Sequence, residues 1–261
     1  MIRDIFLYLL DYPFFICLSA FIFGGCLGSF ANMLIYRLPN RVSLFSHRSL
    51  CLHCHHMLSL KELIPVLSFL FQKGNCSYCM KRIPLRYLWV ELSTIVFAFL
   101  YLYPSSPVFF NHHFFVFMFL CIILFFTDIE TFTLPLPLSF SLVFLGVFHV
   151  LSFSTWDTVF PTIYIVTALY CVRALFNWIY KMDTFGLGDI IFVGVLGLNW
   201  GWIICLGSLY FSILTAGLLC CGLLLFNRRK RLDHIAFCPF LIIGFLLSFS
   251  FSSYLEDLLL F

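Results

Sequence analysis

The sequence predicts an all-α polytopic membrane protein of about eight transmembrane helices, with a cytoplasmic zinc-stapled loop between the first two. Three observations carry this prediction. Of 261 residues, 62% are hydrophobic and 10% charged, with 36 phenylalanines, and the mean hydropathy is +1.05; a soluble chain of this length needs far more polar surface than that. Eight apolar runs approach the ~20 residues that cross a bilayer. Lys and Arg gather in alternate connections, with Arg3 alone on the outer side and Arg173 near enough to a cytoplasmic helix end to snorkel, the pattern of a chain threaded back and forth across a membrane.

The apolar runs fall at roughly 14–36, 87–103, 107–127, 134–153, 159–180, 187–203, 204–226 and 235–253. The first is read as a span and not as a cleaved signal, because Asp4, Asp11 and Pro13 interrupt the basic leader that a signal needs and no small-residue cleavage site follows. Eight basic residues lie between the first two spans: Arg37, Arg41, Arg48, Lys61, Lys73, Lys81, Arg82 and Arg86. That loop is therefore cytoplasmic, and alternate counting also places Lys181 and the cluster Arg228, Arg229, Lys230 and Arg231 inside. The formal net charge of +3 needs no nucleic-acid partner, since positive-inside bias accounts for it; the partner implied is the lipid bilayer. The chain divides on this reading into 1–36, an N-terminal segment with the first helix; 37–86, the zinc-binding loop; and 87–261, the membrane domain.

The loop holds "CLHC" (Cys51 to Cys54) and "CSYC" (Cys76 to Cys79), with 21 residues between the pairs. Two C-x-x-C turns at such a spacing form one tetrahedral metal site. A disulfide pairing is disfavoured because a cytoplasmic loop is kept reduced. About 50 residues bury too little apolar surface to fold alone, so a structural zinc ion on Cys51, Cys54, Cys76 and Cys79 supplies what the loop lacks. His53, His55 and His56 are read as solvent-facing residues beside a complete thiolate set. The other eight cysteines are read as small apolar residues of the spans.

Asp128 and Asp189 each adjoin a long apolar run, where an ionised carboxylate costs roughly 2.5–3.5 kcal/mol or more. The third span ends beside Asp128 and the sixth begins beside Asp189, so alternate threading brings both to the same cytoplasmic level. Two carboxylates at one depth can share a proton and activate a water between them, as general base and general acid. Asp189 opens a helix, where the dipole favours an anion; Asp128 closes one, where it does not. Gly186 and Gly188, ahead of Asp189, allow close backbone approach and predict a place for a substrate strand.

These residues resemble the bacterial prepilin peptidases, or type IV leader peptidases, which are G-x-G-D membrane aspartic proteases. The resemblance runs along nearly the whole chain: "GSFANMLIYRLP" at Gly28 to Pro39, the two cysteine pairs, "IPVLS" at Ile64 to Ser68, "RYLWVE" at Arg86 to Glu91, "TDIETFTLP" around Asp128, "GLGD" ending at Asp189, and "FCPFLIIG" at Phe237 to Gly244. The resemblance implies a multi-pass enzyme of the cell inner membrane with its active site at the cytoplasmic face. Its implied partners are type IV prepilin or pseudopilin precursors of pilus and secretion systems, cut after a glycine between a basic leader and an apolar helix. The family's catalytic aspartates match Asp128 and Asp189, and its four cysteines match those above. Many members also methylate the new N-terminal residue, usually phenylalanine, with S-adenosylmethionine; Gly28, Ser29, Asn32, Arg37 and Glu91 are the candidates for binding that cofactor or the amine.

The chain departs from the family pattern at Leu136, where Asp is common, at Ile191, where Lys is common, and at Leu52 and His47, which replace prolines. None of these removes a proton-transfer group. Two alternatives are a transporter or channel using Asp128 and Asp189 as a proton or cation path, and a degenerate member without catalysis. A path needs polar groups at mid-membrane and on the far side, whereas these carboxylates gather at one face.

Overall fold

The structure is a computed structural model and describes residues 13–44, 49–103, 112–153, 155–181, 186–225 and 236–252; His47, Arg48 and the basic cluster at 228–231 lie outside them. Among the described residues the fold is all helical, with two isolated antiparallel bridges and no strand. The eight apolar runs form α1 (Pro13–Arg37), α3 (Leu85–Leu102), α4 (His112–Thr131), α5 (Leu136–Phe153), α6 (Val159–Tyr180), α7 (Leu187–Trp200), α8 (Trp202–Leu225) and α9 (Cys238–Ser250), with a short helix α2 (Leu67–Phe71) in the first loop. Six are long and apolar enough to cross a membrane, and the chain is a multi-pass membrane protein. The other two, α7 with 14 residues and α9 with 13, reach only about 21 and 20 Å at 1.5 Å per residue, against a hydrocarbon core of about 30 Å.

The shortness of α7 follows from its surroundings. Within the unit Thr127–Phe261 it packs against α5, α6, α8 and α9, and Val193, Val195 and Leu196 are fully buried. A helix walled by other helices can end inside the membrane, because protein and not lipid meets its terminal backbone groups. The lipid-facing residues lie elsewhere: Phe144, Phe160, Tyr164 and Trp178 are among the most exposed large side chains, as befits helices whose solvent is hydrocarbon. Small residues let these helices approach. Gly146 leaves room for Asn199, Gly197 for Thr162, and Gly244 for the α8 backbone at Ser208 and Ser212.

The unit Met1–Phe126 is built on the pairing of α1 with α3. Gly24 and Gly28 lie one turn apart on α1. A Cβ on Gly24 would stand 2.6 Å from Ile95 Cα, and one on Gly28 would stand 2.7 Å from Glu91 Cα, so the two backbones touch. This is the small-xxx-small contact that joins helices in lipid, where hydrophobic burial gives no preference for helix over tail. Gly25, on the next position, faces Pro65 of the loop. The sequence boundaries at 36/37 and 86/87 mark where the chain leaves and re-enters apolar helix; the contact boundary lies at 126/127 because α3 is bound to α1 through these glycines.

Candidate active site and metal centre

Asp128 sits in the last turn of α4 and is 6% exposed. After it the chain turns sharply: the Phe132 amide bonds back to the Asp128 carbonyl at 2.9 Å with Phe132 at φ 52°, and Thr131 hydroxyl bonds to the Thr127 carbonyl and to Thr133. Leu134 and Pro135 then lead into α5. Asp189 lies in the first turn of α7 and accepts a hydrogen bond from the Gly186 amide. The Asp128 carboxylate is near enough to act electrostatically on that of Asp189. The structure thus brings together the two aspartates 61 positions apart in sequence.

The dipole asymmetry expected from the sequence does not survive in this arrangement. Asp128 Oδ2 accepts the backbone N–H of Cys238, the first residue of α9, at 3.2 Å. Pro239, next in the chain, has no N–H to offer. Asp128 therefore ends its own helix but faces the N-terminus of another, so each aspartate meets the positive end of a helix dipole.

The glycines before Asp189 serve contacts inside the protein. A Cβ on Gly188 would lie 2.5 Å from Leu134 Cδ1 and 3.0 Å from Leu134 Cβ, and one on Gly186 would lie 2.7 Å from Asp189 Oδ2. Gly188 thus seats the turn that follows Asp128, and Gly186 lets the Asp189 carboxylate fold back over its own helix start. Leu136 and Ile191 are both exposed, Leu136 as the first residue of α5 and Ile191 as the fifth of α7.

In the loop, the two cysteine pairs have the same backbone fold, 25 residues apart. Cys51 N–H bonds to the His56 carbonyl, His55 N–H to the Cys51 carbonyl, and Leu50 bridges Met57; Cys76 N–H bonds to Lys81, Met80 N–H to Cys76, and Asn75 bridges Arg82. His55 and Met80, each just after the second cysteine of its pair, take positive φ of 57° and 56°. The four Sγ atoms lie within 4.8 Å of one another, with Cys51 and Cys79 at 3.9 Å. Tetrahedral zinc with ~2.3 Å bonds needs sulfurs about 3.8 Å apart, so the cluster fits a metal ion. Burial raises the Cys51 thiol, but the amides of Cys54 and His53 and the neighbouring thiols outweigh it and lower its pKa to about 7. Cys54 is helped by the His56 amide, yet slight burial and its three sulfur neighbours push it up to about 11. One thiolate is thus welcome and further ones repel it, which a cation resolves. His56 lies against Tyr78, the rings tilted by 32° with centroids 3.4 Å apart; His53 and His55 face a cavity.

That cavity, about 340 Å³, lies between the loop-side ends of α1 and α3 and the loop itself. Ser29, Asn32, Arg37 and Glu91 line it; Gly28 does not, being enclosed between α1 and α3. The Arg37 guanidinium donates to the carbonyls of Ser43 and Leu44 at 3.1 and 2.8 Å, which folds the chain back after α1. Asn32 Nδ2 donates to the Tyr87 carbonyl at 3.0 Å, while its Oδ1 is buried and has no partner among the described residues. Glu91 Oε2 accepts the Val66 amide at 2.7 Å, with Val66 held at φ 61°. A β-branched residue there is strained, so this bond helps hold the "IPVLS" segment against α3.

Comparison with known proteins matches residues 22–104 to the bacterial peptidase A24 N-terminal domain and residues 115–225 to the type IV leader peptidase family. A protein of Bacillus subtilis named prepilin leader peptidase/N-methyltransferase is 32% identical over 239 residues, covering 88% of this chain and 92% of its own. The chain belongs to the type IV leader peptidase family. Relatives with the same name include one from Vibrio cholerae, 30% identical over 72% of this chain and 78% of its own, and one from Legionella pneumophila, 28% identical over 92% and 93%. No solved structure matches the chain.

The contacts in the structure give a physical reason for motifs that the sequence showed only as patterns. "FCPFLIIG" presents the Cys238 amide to Asp128 and packs Gly244 on α8. The "TLP" after Asp128 delivers Leu134 onto Gly188. Sequence reading missed Leu134, Val66 and the Cys238 amide as parts of the site. The Gly24-xxx-Gly28 spacing was visible and would have predicted the α1–α3 contact.

Proposed function

We propose that the chain is a prepilin leader peptidase that cuts type IV pilin-like or pseudopilin precursors at the cytoplasmic face of the inner membrane and then N-methylates the new terminus. The carrying observation is the pairing of Asp128 with Asp189, each against a helix N-terminus, at the start of a helix bundle. One carboxylate takes a proton from water as its oxygen attacks the scissile carbonyl. The other, protonated, donates to the carbonyl oxygen, and the proton then passes to the leaving amide nitrogen. Gly186 and Gly188 act by seating Asp189 and the turn after Asp128. A precursor with a basic leader and an apolar stem presents its scissile bond at the membrane surface where the positive-inside loops lie.

Methyl transfer belongs on this reading to the Met1–Phe126 unit. The cavity is within the range of small-molecule sites and combines the acids Glu62 and Glu91 with the bases Arg37, Lys81 and Arg82 and the Tyr87 ring. Such a mixture suits S-adenosylmethionine, which when bound supplies an electrophilic methyl group. Ser29 and Arg37 are proposed to hold it, with the cysteine cluster carrying structural zinc and forming one wall through Cys51 and Cys76. Gly28 acts through the helix contact it permits. The test is to incubate the purified chain with a prepilin-like peptide, with and without S-adenosylmethionine, and to weigh the products. Cleavage after the leader glycine, with a 14 Da gain only when the cofactor is present, is expected; an uncut peptide would refute the reading.

A further inference from the structure

Asn32 and Glu91 differ from the rest of the cavity lining. Both lie on the membrane helices and not on the loop, on the two sides of the α1–α3 contact. Asn32 bonds to the Tyr87 carbonyl, and Gly28, one turn deeper, touches Glu91. The two side chains thus sit one helical turn apart at the membrane end of the cavity.

Asn32 is 3% exposed, its amide nitrogen is used, and its Oδ1 has no donor. Glu91 spends Oε2 on the Val66 amide, leaving Oε1 for a ligand. A buried acceptor without a donor carries a desolvation penalty that a ligand N–H removes. One buried amide oxygen and, beside it, the open oxygen of a half-buried carboxylate ask for an amine. We infer that Asn32 and Glu91 form the receptor for the α-amine that is methylated, Asn32 orienting it and Glu91 taking its proton.

The inference rests on the methyl-transfer reading above and adds which residues touch the acceptor. The acceptor's amine precedes an apolar helix that lies in the bilayer, so it enters at the membrane end. The cofactor's polar groups are left to the loop side. For the step itself, the ammonium loses one proton to Glu91 Oε1 and the nitrogen lone pair forms the new C–N bond. The sulfur–methyl bond breaks with its electrons kept on sulfur, leaving a neutral thioether, a methylated ammonium and a protonated Glu91 that then releases its proton to solvent.

The test uses the full chain in nanodiscs and two peptides with a mature-type sequence, one starting with phenylalanine and one with its des-amino analogue. Wild type is expected to bind the amine peptide ~10-fold or more tightly than the analogue. Asn32→Leu and Glu91→Gln should erase that preference while S-adenosylmethionine affinity stays within about twofold. Glu91→Gln keeps an oxygen for the Val66 amide, so it guards against simple misfolding. Its remaining methylation should rise with pH through about 8, as the amine loses its proton to water instead. Preference for the amine peptide retained in both variants overturns the inference, as does loss of cofactor affinity, which assigns the pair to the cofactor's own amine. A wild type that neither binds the cofactor nor methylates removes the methyl-transfer reading, and this inference with it.

Discussion

The two units treat their polar groups in opposite ways. In Thr127–Phe261 each carboxylate is met by a backbone amide at a helix start, Cys238 for Asp128 and Gly186 for Asp189. In Met1–Phe126 the cavity is left with an unpartnered Asn32 Oδ1 and a half-committed Glu91. Their glycines differ as well. Those of α1 sit mid-helix and press one helix on another, whereas Gly186 and Gly188 sit at a helix start and make room for one carboxylate and one turn. The Met1–Phe126 unit thus leaves acceptors open at its cavity, whereas Thr127–Phe261 holds its two carboxylates against fixed amides.

The largest effects should fall on the carboxylates. Asp128→Asn or Asp189→Asn should lower leader cleavage by roughly 10²–10⁴-fold or more, followed by mass spectrometry of the released leader. A normal rate in either variant would end the comparison, since Thr127–Phe261 would then hold no catalytic pair.

Next comes the cysteine cluster. Cys54→Ser should drop bound zinc from stoichiometric to near zero and make the loop sensitive to protease, as measured by metal analysis and limited digestion. The sign of the pH dependence is set by Cys51. Its pKa in the fold, about 7, is below the ordinary 9.0, so its contribution to loop stability is full above the unfolded value and is lost as pH falls through about 7. Acidification through that range should therefore release metal, and a metal content that rises with acid would contradict the thiolate site.

A smaller and more pointed effect concerns Gly188. Gly188→Ala should reduce cleavage several-fold, because its Cβ would crowd Leu134, and Leu134→Ala in the same chain should restore much of the loss. Without that rescue, Gly188 acts on the substrate and not on the turn. The smallest effect is Glu62→Ala. It removes the capping box in which Glu62 accepts the Ser59 amide and hydroxyl, both at 2.9 Å, and a loss of less than about 1 kcal/mol is expected by thermal melting.

Much of this was legible in the sequence, for identifiable reasons. Apolar runs declared all eight helices, because lipid requires a contiguous apolar segment. The C-x-x-C pairs declared the metal cluster, because four thiols in one short loop have few other uses. Asp128 and Asp189 stood out because charge beside a span is costly. What stayed hidden depends on contacts between distant segments. Nothing near Asp128 signals that an amide 110 residues later will cap it. The shortness of α7 and α9 is likewise set by their neighbours, and Leu134 reads as an ordinary leucine until it is seen resting on Gly188.

On the proposed reading, cleavage and methyl transfer are separate chemistries in separate units. Giving Asp189→Asn an already cleaved peptide together with S-adenosylmethionine, and measuring methyl incorporation beside its activity on the uncut precursor, separates the two. Methylation at close to the wild-type rate with cleavage lost is expected. Loss of both activities in a variant that retains its metal and its thermal stability would contradict that reading.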